Sequence, residues 1–121
     1  MPYLDTDFLI ALLKPKDWLK EPAKELLKKH HGNLWASTAS VIEVLLVCDE
    51  YNLDAEEVIM SLYELVDVHV LPRGIALAAA HLFKKGLRVF DAFHAAYATD
   101  DTIISSDHIF DKIGLKRIPL R

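Results

Sequence analysis

The sequence predicts one α/β domain over residues 1–121, compact and three layers deep (α/β/α), with a short, mainly parallel central sheet. Three observations carry the prediction. Short apolar runs alternate with longer helical patterns. Most helix starts are marked by Asp, Ser or Thr and most ends by Gly or Pro. The 121 residues fit one domain of the usual ~100–150 residues and leave no room for a second. A parallel pair needs a crossover, ordinarily a helix, so the alternation implies helices on both sheet faces.

Each element has its local reason. Tyr3 and Leu4 begin a strand, and Asp5 then introduces a helical run through Phe8, Leu9, Ala11, Leu12 and Leu13, which Pro15 breaks. Asp17 suits the cap of a helix from Trp18 to His31, stopped by Gly32. Leu34, Trp35 and Ala36 predict a second strand, and Ser37 or Thr38 caps an apolar helix reaching about Glu50. Asp54 with Glu57 forms a capping box for a helix through Leu65. Val66 to Leu71 alternates as a strand and Pro72 ends it. Ile75 to Lys85 predicts a helix closed by Gly86, and Asp91 caps the next through Ala98. Thr102, Ile103 and Ile104 make the fourth strand, Asp107 opens a short turn of helix ending near Gly114, and Ile118 begins a marginal fifth strand.

Composition narrows the function classes. Hydrophobic residues at 52% and charged residues at 26% suit a buried core and exclude a disordered chain. No apolar run approaches the ~20 residues of a spanning helix, and the N-terminus lacks a signal-peptide pattern, so the expectation is a soluble, cytoplasmic protein with no membrane association. A net charge of −4 means any polyanion must be met locally. The single cysteine, Cys48, excludes an intramolecular disulfide and any multi-cysteine metal site; among Val44, Leu45, Leu46 and Val47 it reads as a buried, inert thiol.

In open α/β sheets ligands bind beyond the carboxyl ends of the strands, and acids collect there. Asp5 follows the first strand, Glu43 lies on the first or second turn of the helix after the second, Asp91 starts a helix and Asp107 follows the fourth strand. Each also has an ordinary local use: Asp5, Asp91 and Asp107 as turn residues or caps, Glu43 in a capping box with Ser40. Capping gives no reason for four acids at one rim. Two unit charges about 4 Å apart at an effective dielectric of about 20 repel by about 4 kcal/mol, so an ionised cluster needs a cation or protons. Mg²⁺ or Mn²⁺ takes carboxylate oxygen and water, leaves positions for phosphate, and activates water toward a phosphodiester.

The stretches Tyr3-Leu4-Asp5-Thr6-Asp7, Ser40-Val41-Ile42-Glu43, Phe90-Asp91-Ala92-Phe93-His94-Ala95-Ala96 and Ser105-Ser106-Asp107-His108-Ile109-Phe110 resemble, in order and over essentially the whole chain, the acidic motifs of the PIN-domain family. Within it the chain is similar to the small VapC-type toxins of toxin–antitoxin pairs. The resemblance implies a compact PIN fold, an Mg²⁺- or Mn²⁺-dependent endoribonuclease acting on RNA, a homodimer, and a cognate antitoxin that blocks the site. Carried over residue by residue, it makes Asp5, Glu43, Asp91 and Asp107 the metal-binding and catalytic acids. Thr6 and Ser105 match hydroxyl positions that suit orienting a carboxylate or a metal-bound water, and Ser105 equally suits a local turn. Asp7 suits either an outer metal role or a first-turn cap, and His94, three residues after Asp91, suits either a site contact or a packed core histidine.

Other readings stay open. Asp5-Thr6-Asp7 also resembles the Asp-x-Asp of haloacid-dehalogenase phosphatases, with Asp5 as nucleophile, although the chain is short for that fold and offers no clear later Lys motif. A receiver domain fails on position, because its acceptor Asp would stand where this chain has His69, Val70 and Leu71. A PIN-like module that binds metal, RNA or protein without turnover is the non-enzymatic alternative. Lys84, Lys85 and Arg88 precede Asp91 and suit either phosphate steering or favourable charge near a helix C-terminus. Lys16, Lys20, Lys24 and Lys28 recur every four residues and suit a solvated face paired with Glu21 and Glu25, or a phosphate stripe. The helix from Val41 to Val47 is apolar nearly all round, and central burial is its simplest account. Trp18 and Trp35 suit core or partner anchors.

Overall fold

The computed structural model describes residues 1–120. Among them the chain runs β1 (Tyr3–Leu4), α1 (Thr6–Leu13), α2 (Lys20–Lys29), β2 (Trp35–Ser37), α3 (Thr38–Val47), α4 (Ala55–Leu65), β3 (Asp67–His69), α5 (Arg73–Lys84), α6 (Val89–Tyr97), β4 (Thr102–Ser105), α7 (Ile109–Lys112) and β5 (Lys116–Pro119). The five strands form one sheet in the order β3-β2-β1-β4-β5, every pairing parallel. The predicted α/β class with helices on both faces is the fold adopted.

Strand alternation builds the two cores, since successive side chains leave opposite faces of a sheet. Leu4, Ala36 and Ile104 cluster with Phe8 of α1, Ala23 of α2, Val44 of α3 and Leu62 of α4. Their chain neighbours Tyr3, Trp35 and Ile103 face the other way, onto Ala95 and Tyr97 of α6, Leu82 of α5 and Phe110 of α7. Phe8 and Phe110 are fully buried, each contributing roughly 1.5–3 kcal/mol by leaving water.

Several boundaries differ from the sequence prediction, and each difference has a local cause. Helix α2 starts at Lys20 rather than Trp18, because the Asp17 carboxylate takes the Leu19 N–H at 2.8 Å in a turn before the helix. Lys20 Nζ donates to the carbonyls of Leu12 and Lys14 at 2.9 and 2.8 Å, closing the C-terminus of α1. With Lys16 outside the helix, the four-lysine stripe does not form. Ser40 pairs back with Ser37 in a capping box and takes the Ser37 N–H at 3.1 Å, so it makes no box with Glu43. Helix α3 ends at Val47, short of Glu50. Helix α5 begins at Arg73, directly after Pro72, and Gly86 closes it at φ +106°, where a side chain would be strained. Asp91 does not cap α6: the helix begins at Val89 and Asp91 stands in its first turn. Strand β3 is confined to Asp67–His69, and β5 begins two residues before Ile118.

The largest correction concerns α3. Val44 is fully buried, yet Ile42, Leu45 and Leu46 are 49%, 44% and 67% exposed. The helix lies along α1 and α6 beyond the end of β2, which covers one side and leaves the other apolar side open. Trp18 is also exposed, while Trp35 packs edge-on against Tyr3 at 4.7 Å between ring centroids. Cys48 is buried, as expected.

Candidate active site

The direction of the strand order reverses between β1 and β4, since β2 and β3 continue on one side and β5 on the other. Such a switch opens a crevice at the carboxyl ends of the two strands. Asp5 is the first residue after β1 and Ser105 the last of β4. The Ser105 hydroxyl donates to Asp5 Oδ2 at 2.6 Å, and the Thr6 N–H donates to Asp5 Oδ1 at 2.8 Å, so both oxygens are held. Two residues on, Asp7 Oδ2 accepts from the Ser106 N–H at 2.8 Å and from the Ser106 hydroxyl. The Asp107 N–H donates to Ser105 Oγ at 2.9 Å, and its carboxylate takes the Ile109 N–H at 2.9 Å. The α1 and β4 ends are thereby tied together by the side chains they contribute.

Asp5, Thr6, Asp7, Glu43, Asp91 and Asp107 line one pocket of about 390 Å³. The four acids named from the sequence therefore meet, together with Thr6 and Asp7; Ser105 lies beneath them, fully buried. An adjoining pocket of about 690 Å³ shares Asp91, Ser106 and Asp107 and adds Lys85, Arg88, His108 and Lys112. Lys84, grouped with Lys85 and Arg88 from the sequence, does not line it.

His94 is the residue whose place the sequence left most open. It is 1% exposed, as a packed histidine would be, and its Nε2 meets Glu43 Oε1 at 2.8 Å, Thr6 Oγ1 at 3.2 Å and Asp5 Oδ1 at 3.7 Å. Both sequence readings hold at once. Its spacing from Asp91 was the only signal for the contact. Nothing in the sequence pointed to Ser106 holding Asp7, or to Tyr3, whose hydroxyl lies 2.6 Å from His94 Nδ1.

Crowding and burial set the electrostatics. Burial lifts the Asp5 carboxyl to about 7; the Asp7 charge adds to this, and the His94 charge and the Ser105 hydrogen bond oppose it. Asp7 is raised by burial, with Asp107 contributing, and Asp91 by burial and the charges of Asp107 and Glu43. Burial disfavours the His94 cation, but the Glu43 hydrogen bond and the charges of Asp5, Glu43 and Asp91 outweigh it and raise the imidazole.

These features fit a hard divalent cation. The donors are carboxylate oxygens, and one oxygen each of Asp5 and Glu43 lies, with a ring nitrogen of His94, in a group whose atoms are all within 4.8 Å of one another. Asp7 Oδ1 is buried with no hydrogen-bond partner among the described residues, an orphaned acceptor in a wall of the same pocket. Raised acids are what a site shows when the charge that would balance it is not supplied by the protein.

The sequence model of the PIN domain family matches residues 3–116. The chain belongs to the PIN domain family. Solved structures sharing this PIN fold include a toxin–antitoxin complex from Klebsiella pneumoniae, 20% identical with a TM-score of 0.79, covering 100% of this chain and 98% of that one. FitAcB from Neisseria gonorrhoeae is 19% identical with a TM-score of 0.78, covering 99% and 98%. VapC20 from Mycobacterium tuberculosis, described as a sarcin-ricin loop cleaving toxin, is 15% identical with a TM-score of 0.79, covering 95% and 96%. No curated protein sequence matches the chain. Membership of the PIN family over this span removes the haloacid-dehalogenase-like alternative, which rested on Asp5-Thr6-Asp7 alone. Among the described residues no helix of the PIN domain is long and apolar enough to cross a membrane.

Proposed function

We propose that this PIN domain is a Mg²⁺- or Mn²⁺-dependent endoribonuclease that hydrolyses RNA phosphodiester bonds, and that it acts as the toxin of a toxin–antitoxin pair. The observation that carries the reading is the junction of two pockets: one lined by Asp5, Asp7, Glu43, Asp91 and Asp107, the other by Lys85, Arg88 and Lys112, sharing Asp91 and Asp107. A bound cation neutralises the acids, polarises the phosphate and lowers the pKa of water toward neutrality. Asp5, Glu43, Asp91 and Asp107 are the groups that hold it. Ser105 and the Thr6 N–H fix the Asp5 carboxylate, and Ser106 fixes Asp7. Lys85 and Arg88 hold the phosphate backbone as it enters between them and Asp107.

The toxin assignment draws on fold neighbours of which one is described as a toxin–antitoxin complex and another as a sarcin-ricin loop cleaving toxin; an antitoxin that fills the acidic pocket is the partner this implies. A second copy of the chain is the other partner. Ile42, Leu71, Val89, Phe90 and Phe93 line one apolar hollow on the side of α3 where Leu45 and Leu46 are also exposed, a surface of the kind a subunit interface covers.

The test is cleavage of a mixed RNA pool with Mn²⁺ by wild type, Asp5→Asn and Asp91→Asn, each shown to be folded. Cleavage by wild type and a loss of at least about 100-fold in both variants is expected, since each removes charge from the group holding the cation. Equal cleavage by all three would reject the assignment. Tight RNA binding without cleavage by wild type would make the domain a binding module instead.

A further inference from the structure

Glu43 stands on a long side chain at the rim, with 27% of that side chain exposed, yet its carboxylate is aimed at Asp5. What holds it there is a buried chain of hydrogen bonds. A carboxylate only accepts, so the His94 Nε2 that meets Glu43 Oε1 at 2.8 Å bears the proton. The Tyr3 hydroxyl lies 2.6 Å from Nδ1 and holds the ring in either protonation state, donating to Nδ1 of the neutral ring and accepting from it in the imidazolium. Tyr3 Oη lies 2.7 Å from Ser37 Oγ and 3.4 Å from Ser40 Oγ, so it has hydroxyl partners of its own. Tyr3, Ser37 and Ser40 are fully buried and His94 nearly so.

We infer that Ser37, Tyr3 and His94 form a positioning relay that fixes Glu43, and through it the metal site, without touching the metal. The inference rests on the metal-nuclease reading. Ser37 is the N-cap of α3 and Glu43 sits on the second turn of the same helix, so the relay leaves α3, crosses β1 and α6, and returns to α3. The cap that starts the helix and the tether that aims its carboxylate are one network. Such partners set a ring's tautomer and a ligand's direction, and their loss typically lowers metal affinity about 10–100-fold. Nε2, carrying its proton, has no lone pair to offer a cation, which makes His94 a positioning residue and not a ligand. Thr6 Oγ1 and Asp5 Oδ1, at 3.2 and 3.7 Å from Nε2, are further acceptors for that same proton and keep the ring facing the site.

The experiment is titration of the whole chain with Mn²⁺, followed by the EPR signal of the free ion, for wild type, Tyr3→Phe, His94→Ala and His94→Gln. Tyr3→Phe removes one oxygen that is not among the pocket's lining atoms, and a purely structural tyrosine would leave the affinity unmoved. Expected is a loss of about 10-fold in Tyr3→Phe and about 10–100-fold in His94→Ala, with much of it restored in His94→Gln, whose amide still donates toward Glu43. Electron spin-echo spectra of the bound ion should show no directly bonded nitrogen. Wild-type affinity in folded Tyr3→Phe and His94→Ala overturns the relay, and so does a bonded nitrogen in wild type, which would make His94 a ligand. If His94→Ala fails to fold, Tyr3→Phe decides, its unchanged affinity overturning the relay. No Mn²⁺ binding by wild type removes the metal reading and the relay together, whereas tight wild-type binding with unaffected variants removes the relay alone.

Discussion

Replacing Asp5 by Asn should stabilise the metal-free protein above neutral pH while weakening its response to metal. Burial lifts the Asp5 carboxyl from the ordinary 3.8 to about 7 in the fold. Below about pH 4 the group is neutral in both folded and unfolded chains. Between about pH 4 and about pH 7 the unfolded chain releases the proton and the folded chain keeps it, so stability falls as pH rises. Above about pH 7 the ionised group is a fixed cost, with a ceiling of about 4 kcal/mol at about 1.4 kcal/mol per pKa unit. Asparagine removes the charge but disturbs the Ser105 bond to Oδ2, which returns about 1–2 kcal/mol. The net gain is therefore about 2 kcal/mol at about pH 8, or roughly 5–10 °C in Tm for a domain of this size, shrinking to nothing or reversing near pH 4. Asp7 and Asp91, also raised by burial, remain in the variant and leave it a shallower slope of the same sign. Thermal melts at about pH 8 and about pH 4.5, with and without Mn²⁺, measure all of this. Mn²⁺ at about 100 times its Kd should add about 2.7 kcal/mol to wild type and much less to the variant. A variant destabilised equally at both pH values, in a wild type indifferent to Mn²⁺, would refute the reasoning that these acids are crowded for a cation.

Two further outcomes follow from the surfaces. Arg88→Ala and Lys85→Ala should weaken RNA binding with little sequence dependence, each lowering the slope of log K against log salt by about 0.7 if it contacts one phosphate of a single strand; filter binding across a salt series would show this, and unchanged slopes would remove the basic pocket from the RNA path. Leu46→Asp should shift the protein toward monomer in light scattering without lowering its Tm by more than about 0.5 kcal/mol equivalent, because Leu46 is 67% exposed in the single chain; an unchanged oligomeric state would remove this face of α3 from the interface.

Much of this molecule is written locally. Asp5 ahead of α1, Ser37 ahead of α3, Asp54 ahead of α4 and Gly86 behind α5 act on backbone groups only a few residues away, so the sequence alone placed those helices. Acids immediately after strand-like runs were also legible, because a parallel sheet puts every strand's carboxyl end at one rim. Local signals erred where a side chain had a competing partner: Lys20 left its predicted stripe for the carbonyls of Leu12 and Lys14 at the end of the preceding helix, and Ser40 turned back to Ser37, three residues away, instead of forward to Glu43. The open side of α3 was illegible for a related reason, since an apolar helix reads the same whether its cover comes from its own chain or from elsewhere. Only the tertiary structure decided which groups share hydrogen bonds at the site. Ser105 reaches Asp5 across 100 positions and Tyr3 reaches His94 across 91; β4 lying beside β1 accounts for the first, and α6 packing over the Tyr3 face of the sheet for the second. Strand order and face are properties of the whole chain's packing, and no short stretch of sequence carries them.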